Sequence, residues 1–367
     1  MKNKVLIFGI GVLIGIIIAS IGWIIYMEIR MDNMMKDMNI VRPNKGNQMW
    51  QDGQFGNKPP FEEENIDKDI KKDDVEKGEK TNKKDVNLST YTSNVTLTEK
   101  GEYNVTGSFE HTLIVDSSDA VTIVLNNVNI TNNDMAAIVN IGKGTLTIKL
   151  AKGSVNNLTD GGSSEYDACV YSESNLVIEG EGKLNVYGKQ LEGEGIAADT
   201  SNITINGGEI YIESEDDGIN AGGDGGVITI NGGNVVIKAK GDGIDSNKDL
   251  IINGGSVYTV GSSIGGDAGI DTDGKFEINS GSVIALGSDM LQKPDNSSKQ
   301  KSICCNLTEK IVTGSKVVVK DSGGKEVANF EAKETFKTLI ISNKYVLNGT
   351  YMVYVNGKVV GNSINVK

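Results

Sequence analysis

Arginine is nearly missing from this chain: Arg30 and Arg42 are the only two, and none follows them. A reaction that needs an arginine as its strong base therefore has no such base anywhere beyond residue 42. Histidine is rarer still, with His111 alone, so no imidazole cluster exists to favour zinc. Of the three cysteines, Cys169 stands by itself, and Cys304 and Cys305 are adjacent, which suits neither a disulfide with each other nor a metal spacing. No disulfide framework carries the fold. Four prolines exclude a proline-rich stalk, and with so few the 46 glycines are not collagen. Aromatics make up only 5%, so the core is built from Ile, Val, Leu and Ala. Cationic surplus is also absent. The formal net charge of -13 argues against nucleic acid and against an anionic membrane surface as partner. Cations, or neutral polymers read by hydrogen bonding, remain.

What is present begins with "VLIFGIGVLIGIIIASIGWIIYM", Val5 to Met27, 23 residues without a charge. That length spans a bilayer as a helix, and Ala19-Ser20 is a poor cleavage site, so residues 1–27 are read as an uncleaved single-pass anchor. Lys2 and Lys4 favour a cytoplasmic N-terminus, against the opposing charges of Arg30, Lys36, Arg42 and Lys45, and the rest of the chain is expected outside the cell membrane. Residues 28–85 show no apolar periodicity, and Glu62 to Asp85 holds 10 acids and 7 lysines. Such a segment buries too little to fold and is expected to be a disordered charged linker.

Beyond it the chain repeats itself. "ITINGGEIYIES" at Ile203, "ITINGGNVVIKA" at Ile228, "LIINGGSVYTVG" at Leu250 and "FEINSGSVIALG" at Phe276 are copies of one phrase. Between them lie "GIAAD", "GINAG", "GIDSN" and "GIDTD", whose isoleucines Ile196, Ile219, Ile244 and Ile270 are spaced by 23, 25 and 26. A fixed period in this range signals a solenoid. Period-two alternation in runs such as "VITINGG" makes the elements strands, with Ile228 and Ile230 facing one way and Thr229 the other. Stacked coils then bury an aliphatic core that no single repeat can close. The expected fold is all-β: a right-handed parallel β-helix over residues 86–290. A small C-terminal β module, residues 291–367, has hairpin turns at Ser322-Gly323-Gly324, Asn348-Gly349 and Asn356-Gly357 and is expected to cover the open end of the stack.

Registering the coils on their inward isoleucines produces columns of acids. Two positions before stand Glu194, Asp217 and Asp242, then Ala268 with Asp267 beside it; one after stand Ala197, Asn220, Asp245 and Asp271; three after stand Asp199, Gly222, Asn247 and Asp273. A glycine corner separates the first column from its isoleucine, so the second and third are the firmer ligand columns. Between Glu194 and Asp289 there are 16 acids against four lysines. Two carboxylates one coil apart repel by ~3.5 kcal/mol at an effective dielectric of 20. Carboxylates, amides and carbonyls are the hard oxygen donors that Ca²⁺ takes in sixes to eights. The expected ligands are Asp216, Asp217, Asn220, Asp242, Asp245, Asn247, Asp271 and Asp273, enough for more than one ion. A solvated acidic face is the plainer alternative.

With "EDDGINAGG", "ITINGGNVVIKAKGDGIDSN", "GGDAGIDTDG" and the tail "NFEAKETFKTLIISNKYVLNGTYMVYVNGK" laid out, the chain resembles the calcium-binding, carbohydrate-binding β-helix proteins of clostridia and relatives, whose fold is similar to that of pectate lyases. The likeness covers Val86 to Lys358; it departs at Ser342-Asn343-Lys344, where the family often has Ser-Ser-Pro. It implies binding of plant cell-wall polysaccharide, cellulose and pectin-like polymers such as polygalacturonate, with several Ca²⁺ ions.

Two rivals stand beside a binding role. A calcium-dependent polysaccharide lyase would need a base, and only Lys238, Lys240 and Lys248 lie near the acids, where solvation accounts for them. A hydrolase could use the pair Asp216-Asp217, but the Gly-His-Gly and Arg-x-Lys motifs of polygalacturonases are missing. No G-x-S-x-G occurs either. The reading is therefore non-catalytic. The other rival is a structural surface stalk stapled by calcium. Tyr171, Tyr187, Tyr211 and Tyr258 fall near strand positions, where each either stacks on sugar rings or closes a gap in the core.

Overall fold

The computed structural model describes residues 75–223 and 226–367. The expected anchor and most of the expected linker lie outside the described residues. Among those described, no helix is long and apolar enough to cross a membrane.

The molecule is a parallel β-solenoid. One sheet has nine strands, all parallel, running from Glu79–Thr81 through Ile219–Ala221 and Ile244–Ser246 to Asp271–Thr272. A second sheet of 17 strands supplies the other walls. One of its ladders stacks Ile203–Ile205, Ile228–Ile230, Leu250–Ile252 and Phe276–Ile278. The other stacks Lys183–Gly188, Glu209–Ser214, Asn234–Lys238, Ser256–Val260 and Ser282–Gly287. The two ladders join at the long strand Val121–Thr131, whose first half pairs with Leu146–Leu150 and whose second half pairs with Val155–Thr159. Asn127, in the left-handed region at φ 58°, turns that strand between the two.

Alternation fixes the interior. Ile203, Ile228, Leu250 and Phe276 lie in register, as do Ile205, Ile230, Ile252 and Ile278, and all are buried. Each coil thus lays its side chains on the same side chains of the coil before, and the core is a set of continuous aliphatic columns.

The two repeated phrases have separate explanations. In Ile-Asn-Gly-Gly the asparagines form a ladder along an outer corner: Asn231 Nδ2 donates to Asn206 Oδ1 (2.9 Å), Asn253 Nδ2 to Asn231 Oδ1 (2.9 Å) and Asn279 Nδ2 to Asn253 Oδ1 (3.1 Å). The last glycine of the phrase turns the corner at positive φ, as at Gly233 (91°), where only glycine is unstrained. In Asp-Gly-Ile the glycine lets the chain pass against the neighbouring wall. A β-carbon on Gly218 would stand 2.2 Å from Ile237 Cγ2.

The solenoid starts earlier than its sequence suggests. Glu79–Thr81, within the span expected to be linker, pairs with Val95–Leu97, and Asp85–Asn87 pairs with the strand from Gly101. Its charged residues face solvent while Thr81 is buried, and Lys77 is ion-paired to Asp116 at 2.8 Å. A charged edge strand reads like a tether because only one of its faces is used.

At the far end of the stack, two walls are covered and the third is met by a side chain. Phe336–Ser342 pairs antiparallel with Ser282–Gly287, and Ser302–Ile311 pairs antiparallel with Phe336–Ser342 in turn. Asp295 and Gln300 donate their backbone N–H groups to Phe276 O (2.7 Å) and Ile278 O (3.0 Å), and Gln292 donates to Thr272 O. A four-stranded antiparallel sheet completes the C-terminal module, with the expected hairpin turn at Asn356-Gly357.

Candidate functional site

The acidic columns fall along one edge of the nine-stranded sheet. Ile196, Ile219 and Ile244 pair in register, which stacks Ala197, Asn220, Asp245 and Asp271 on its outer face. The column two positions earlier sits at the glycine corner and is more deeply engaged than the outer-face column. Asp242 N–H donates to Asp217 Oδ1 at 2.6 Å, and Ala268 N–H donates to Asp242 Oδ1. Each acid thus caps the backbone of the next coil. Period-two counting does not describe this engagement, because the glycine corner breaks the alternation. The glycine between acid and isoleucine lets the carboxylate fold back over the coil edge instead of pointing away from it.

Burial dominates the electrostatics here. It raises Asp217 to about 8, with Asp216, Asp242 and Asp245 adding to the rise and the Asp242 N–H opposing it. Asp242 is pushed up to about 7 by burial and by Asp271, Asp245 and Asp267, against the bond from Ala268. Asp245 reaches about 6 through burial and the charges of Asp271 and Asp273. Asp216 is raised by burial, then by Asp267, Glu192 and Asp167. Glu194 goes highest, to about 9, from burial and from Asp167, Asp217 and Asp216, despite the bond from Asn220. No lysine is among the leading causes of these shifts.

Glu194 belongs to this site although it was not among the expected ligands. Asn220 Nδ2 donates to its Oε1 at 2.7 Å, while Glu194 Oε2 and Asn220 Oδ1 are buried with no hydrogen-bond partner. Its place in the corner column was visible in the sequence; its depth was not. Asn247 and Asp273 are exposed and form the outer rim of the site.

The donor set fits a hard cation in kind: carboxylates, an amide oxygen and two orphaned buried oxygens. It is not a finished cage. Among the described residues, no group of three or more His, Cys, Asp or Glu side chains converges tightly enough to hold a metal by itself. An ion here would draw on Asn220 and on backbone carbonyls as well as carboxylates.

The tyrosines divide. Tyr171 is buried, donates to Asp199 Oδ2 at 2.6 Å and packs edge-on against Tyr166. Tyr258 is sandwiched beneath the C-terminal module, with its ring 6.1 Å from that of Phe330 and its hydroxyl accepting from Lys333 N–H at 3.1 Å. Both close gaps. Tyr187 and Tyr211 are half-exposed on adjacent coils with ring centroids 6.0 Å apart.

A family model described as "Carbohydrate-binding domain-containing protein" matches residues 91–355. A curated relative of the same description from Acetivibrio thermocellus is 31% identical over 138 residues, covering 35% of this chain and 47% of that protein. The chain thus spans about half the length of the relative it matches. A solved structure described as the polysaccharide lyase-like protein from C. thermocellum, a gadolinium derivative, is 27% identical, with a TM-score of 0.41 over 50% of this chain and 81% of that one. The chain belongs to the carbohydrate-binding domain-containing family.

Proposed function

We propose that this member of the carbohydrate-binding domain family is a non-catalytic polysaccharide receptor, held at the outer face of the cell membrane by residues 5–27 and stabilised by Ca²⁺ along its acidic edge. The family match over residues 91–355 carries the carbohydrate part of this reading. A long, regular wall of parallel strands suits a linear polymer, because it presents the same functional groups at the ~4.8 Å strand spacing. Cellulose-like and polygalacturonate-like chains are the substrate classes to test.

The calcium part rests on the uncompensated crowding of Glu194, Asp217, Asp242 and Asp245, each held above the ordinary carboxylate range, and on the two orphaned oxygens between Glu194 and Asn220. A bound divalent ion would supply the missing positive charge and satisfy those oxygens. Asp217, Asn220, Asp242, Asp245 and Asp271 would hold it, with Glu194 at the neighbouring position.

The non-catalytic part is supported by the state of the lysines. Lys238 and Lys240, two of the three lysines that could replace a missing arginine base, are ion-paired to Glu334 and Glu215. Both ammonium groups are thus turned onto carboxylates of the protein itself.

A glycan-binding panel on the purified protein, with and without chelator, tests the reading, alongside elemental analysis after buffer exchange. Retention on at least one polysaccharide and stoichiometric calcium are expected. Failure to bind any glycan removes the receptor role; release of unsaturated uronides from polygalacturonate removes the non-catalytic one. Absence of bound alkaline-earth metal removes the calcium.

A further inference from the structure

A groove of about 440 Å³ separates the solenoid wall from the C-terminal module. Its floor carries Glu213 and Glu215 from one coil and Lys238 and Lys240 from the next, with Glu334 of the module opposite. The loop after Val260, longer than the loop of residues 239–243 in the preceding coil, raises Ile264 to the rim, 70% exposed. Lys310 holds that loop, donating to Ser263 O at 2.6 Å.

The charges of this groove cancel locally. Lys238 Nζ is 2.8 Å from Glu334 Oε1, Lys189 Nζ is 2.8 Å from Glu213 Oε1, and Lys240 pairs with Glu215. Lys189 holds Glu213 below the ordinary carboxylate range, so this acid stays ionised and is no proton donor. Tyr211 donates to Glu213 Oε2 at 3.0 Å, and beside it lies Tyr187; the two rings form a short aromatic strip just outside the groove, joined to its lining through Glu213. The volume lies in the range of small-ligand sites, roughly 300–1,000 Å³.

We infer that this groove is the glycan site and that its occupant is an uncharged sugar chain, with rings against Tyr187 and Tyr211 and hydroxyls bridging the carboxylate–ammonium pairs. The inference rests on the carbohydrate-binding reading and adds to it a place and a charge class. A side-by-side carboxylate and ammonium offer an acceptor and a donor to neighbouring sugar hydroxyls, and both are strong because they are charged. Aromatic faces give the apolar side of a sugar ring its contact. A polyuronate finds no surplus of positive charge here and meets three carboxylates. The groove begins where the acidic edge stops, at Glu215 beside Asp216, so the two surfaces are adjacent but chemically distinct.

Calorimetry on the full chain in mild detergent, with calcium present throughout, tests this using cellohexaose and a galacturonate hexamer. Wild type is expected to bind cellohexaose in preference to the galacturonate. Tyr211→Ala should weaken cellohexaose binding about tenfold, and Glu334→Gln several-fold with an unchanged melting curve. Glu334 is half-exposed, so its variant remains informative if Tyr211→Ala folds poorly. Preference for the galacturonate overturns the uncharged occupant. Wild-type binding with both variants unaffected overturns the groove and leaves the receptor role standing. No binding of any glycan by wild type overturns both.

Discussion

The two charged walls of the solenoid handle the same problem in opposite ways. On the wall built from Lys183–Gly188 and its neighbours, acids of one coil meet lysines of the next: Lys183 with Glu209 at 2.6 Å, Lys189 with Glu213, Lys240 with Glu215. On the edge of the nine-stranded sheet, Asp242 stacks on Asp217 and Asp245 on Asn220, with no lysine among the leading causes of their shifts, and the protons of the three acids are held far more tightly than usual. Stacking in register multiplies whatever a repeat carries. Where the repeat alternates sign it builds a neutral surface; where it does not, it accumulates unbalanced charge. The first wall is complete as it stands. The second invites something from solution.

The widest gap between the walls should open with pH in the absence of metal. Carboxyls raised in the fold make the folded chain bind protons more tightly than the unfolded one, so their stabilisation is full below pH ~4. It is lost as pH rises through about 6, 7, 8 and 9, the values of Asp245, Asp242, Asp217 and Glu194. Chelated protein should therefore melt at steadily lower temperature from pH 5 to pH 9, while calcium should flatten or reverse that trend. Identical curves with and without calcium would break the contrast.

Next in size is neutralising the edge. Asp217→Asn with Asp245→Asn keeps the acceptor for Asp242 N–H and removes two groups that are both ionised in the metal-free fold only above pH about 8; in that range it should stabilise the chelated protein by about 1–3 kcal/mol and abolish most of the gain from calcium. Denaturant titrations under both conditions would reveal the crossing. Asn220→Lys goes further and remakes the edge in the image of the other wall, placing an ammonium against Glu194 and Asp245. Its stability should no longer respond to calcium.

Smaller effects lie elsewhere. Asn231→Ala interrupts the corner ladder at two bonds and should cost about 1 kcal/mol, read from the urea midpoint. Lys183→Ala, on the balanced wall, should change stability by no more than ~0.5 kcal/mol. A larger loss would show that the paired wall is as dependent on its charges as the acidic one.

Much of this was legible in the residues. The alternation around Ile228 and Ile230 specified strands, and the spacing of Ile196, Ile219 and Ile244 specified the register that stacks Asn220 on Asp245. Repeated sequence is a direct record of repeated geometry. Three things escaped it. The fold-back of Asp217 and Asp242 depends on a corner conformation, which period-two counting cannot describe. The strand Glu79–Thr81 is buried at one residue only, too little to disturb a charged pattern. The groove is made by residues far apart in the chain, with Lys238 meeting Glu334 across 96 positions, and no local signal marks such a meeting.

The reversal of chain direction at Phe336–Ser342 has a consequence for how copies of this molecule meet. A coil offers the next one a backbone of fixed polarity, and a second molecule's first strand would match it as readily as its own. Here the final wall is already occupied by a segment running the other way, and Asp295 and Gln300 occupy the wall beside it. A newcomer finds the wrong polarity and no vacant carbonyls at those walls. The solenoid is thereby a unit of finite length, and two of its walls give a second copy no strand to extend at this face.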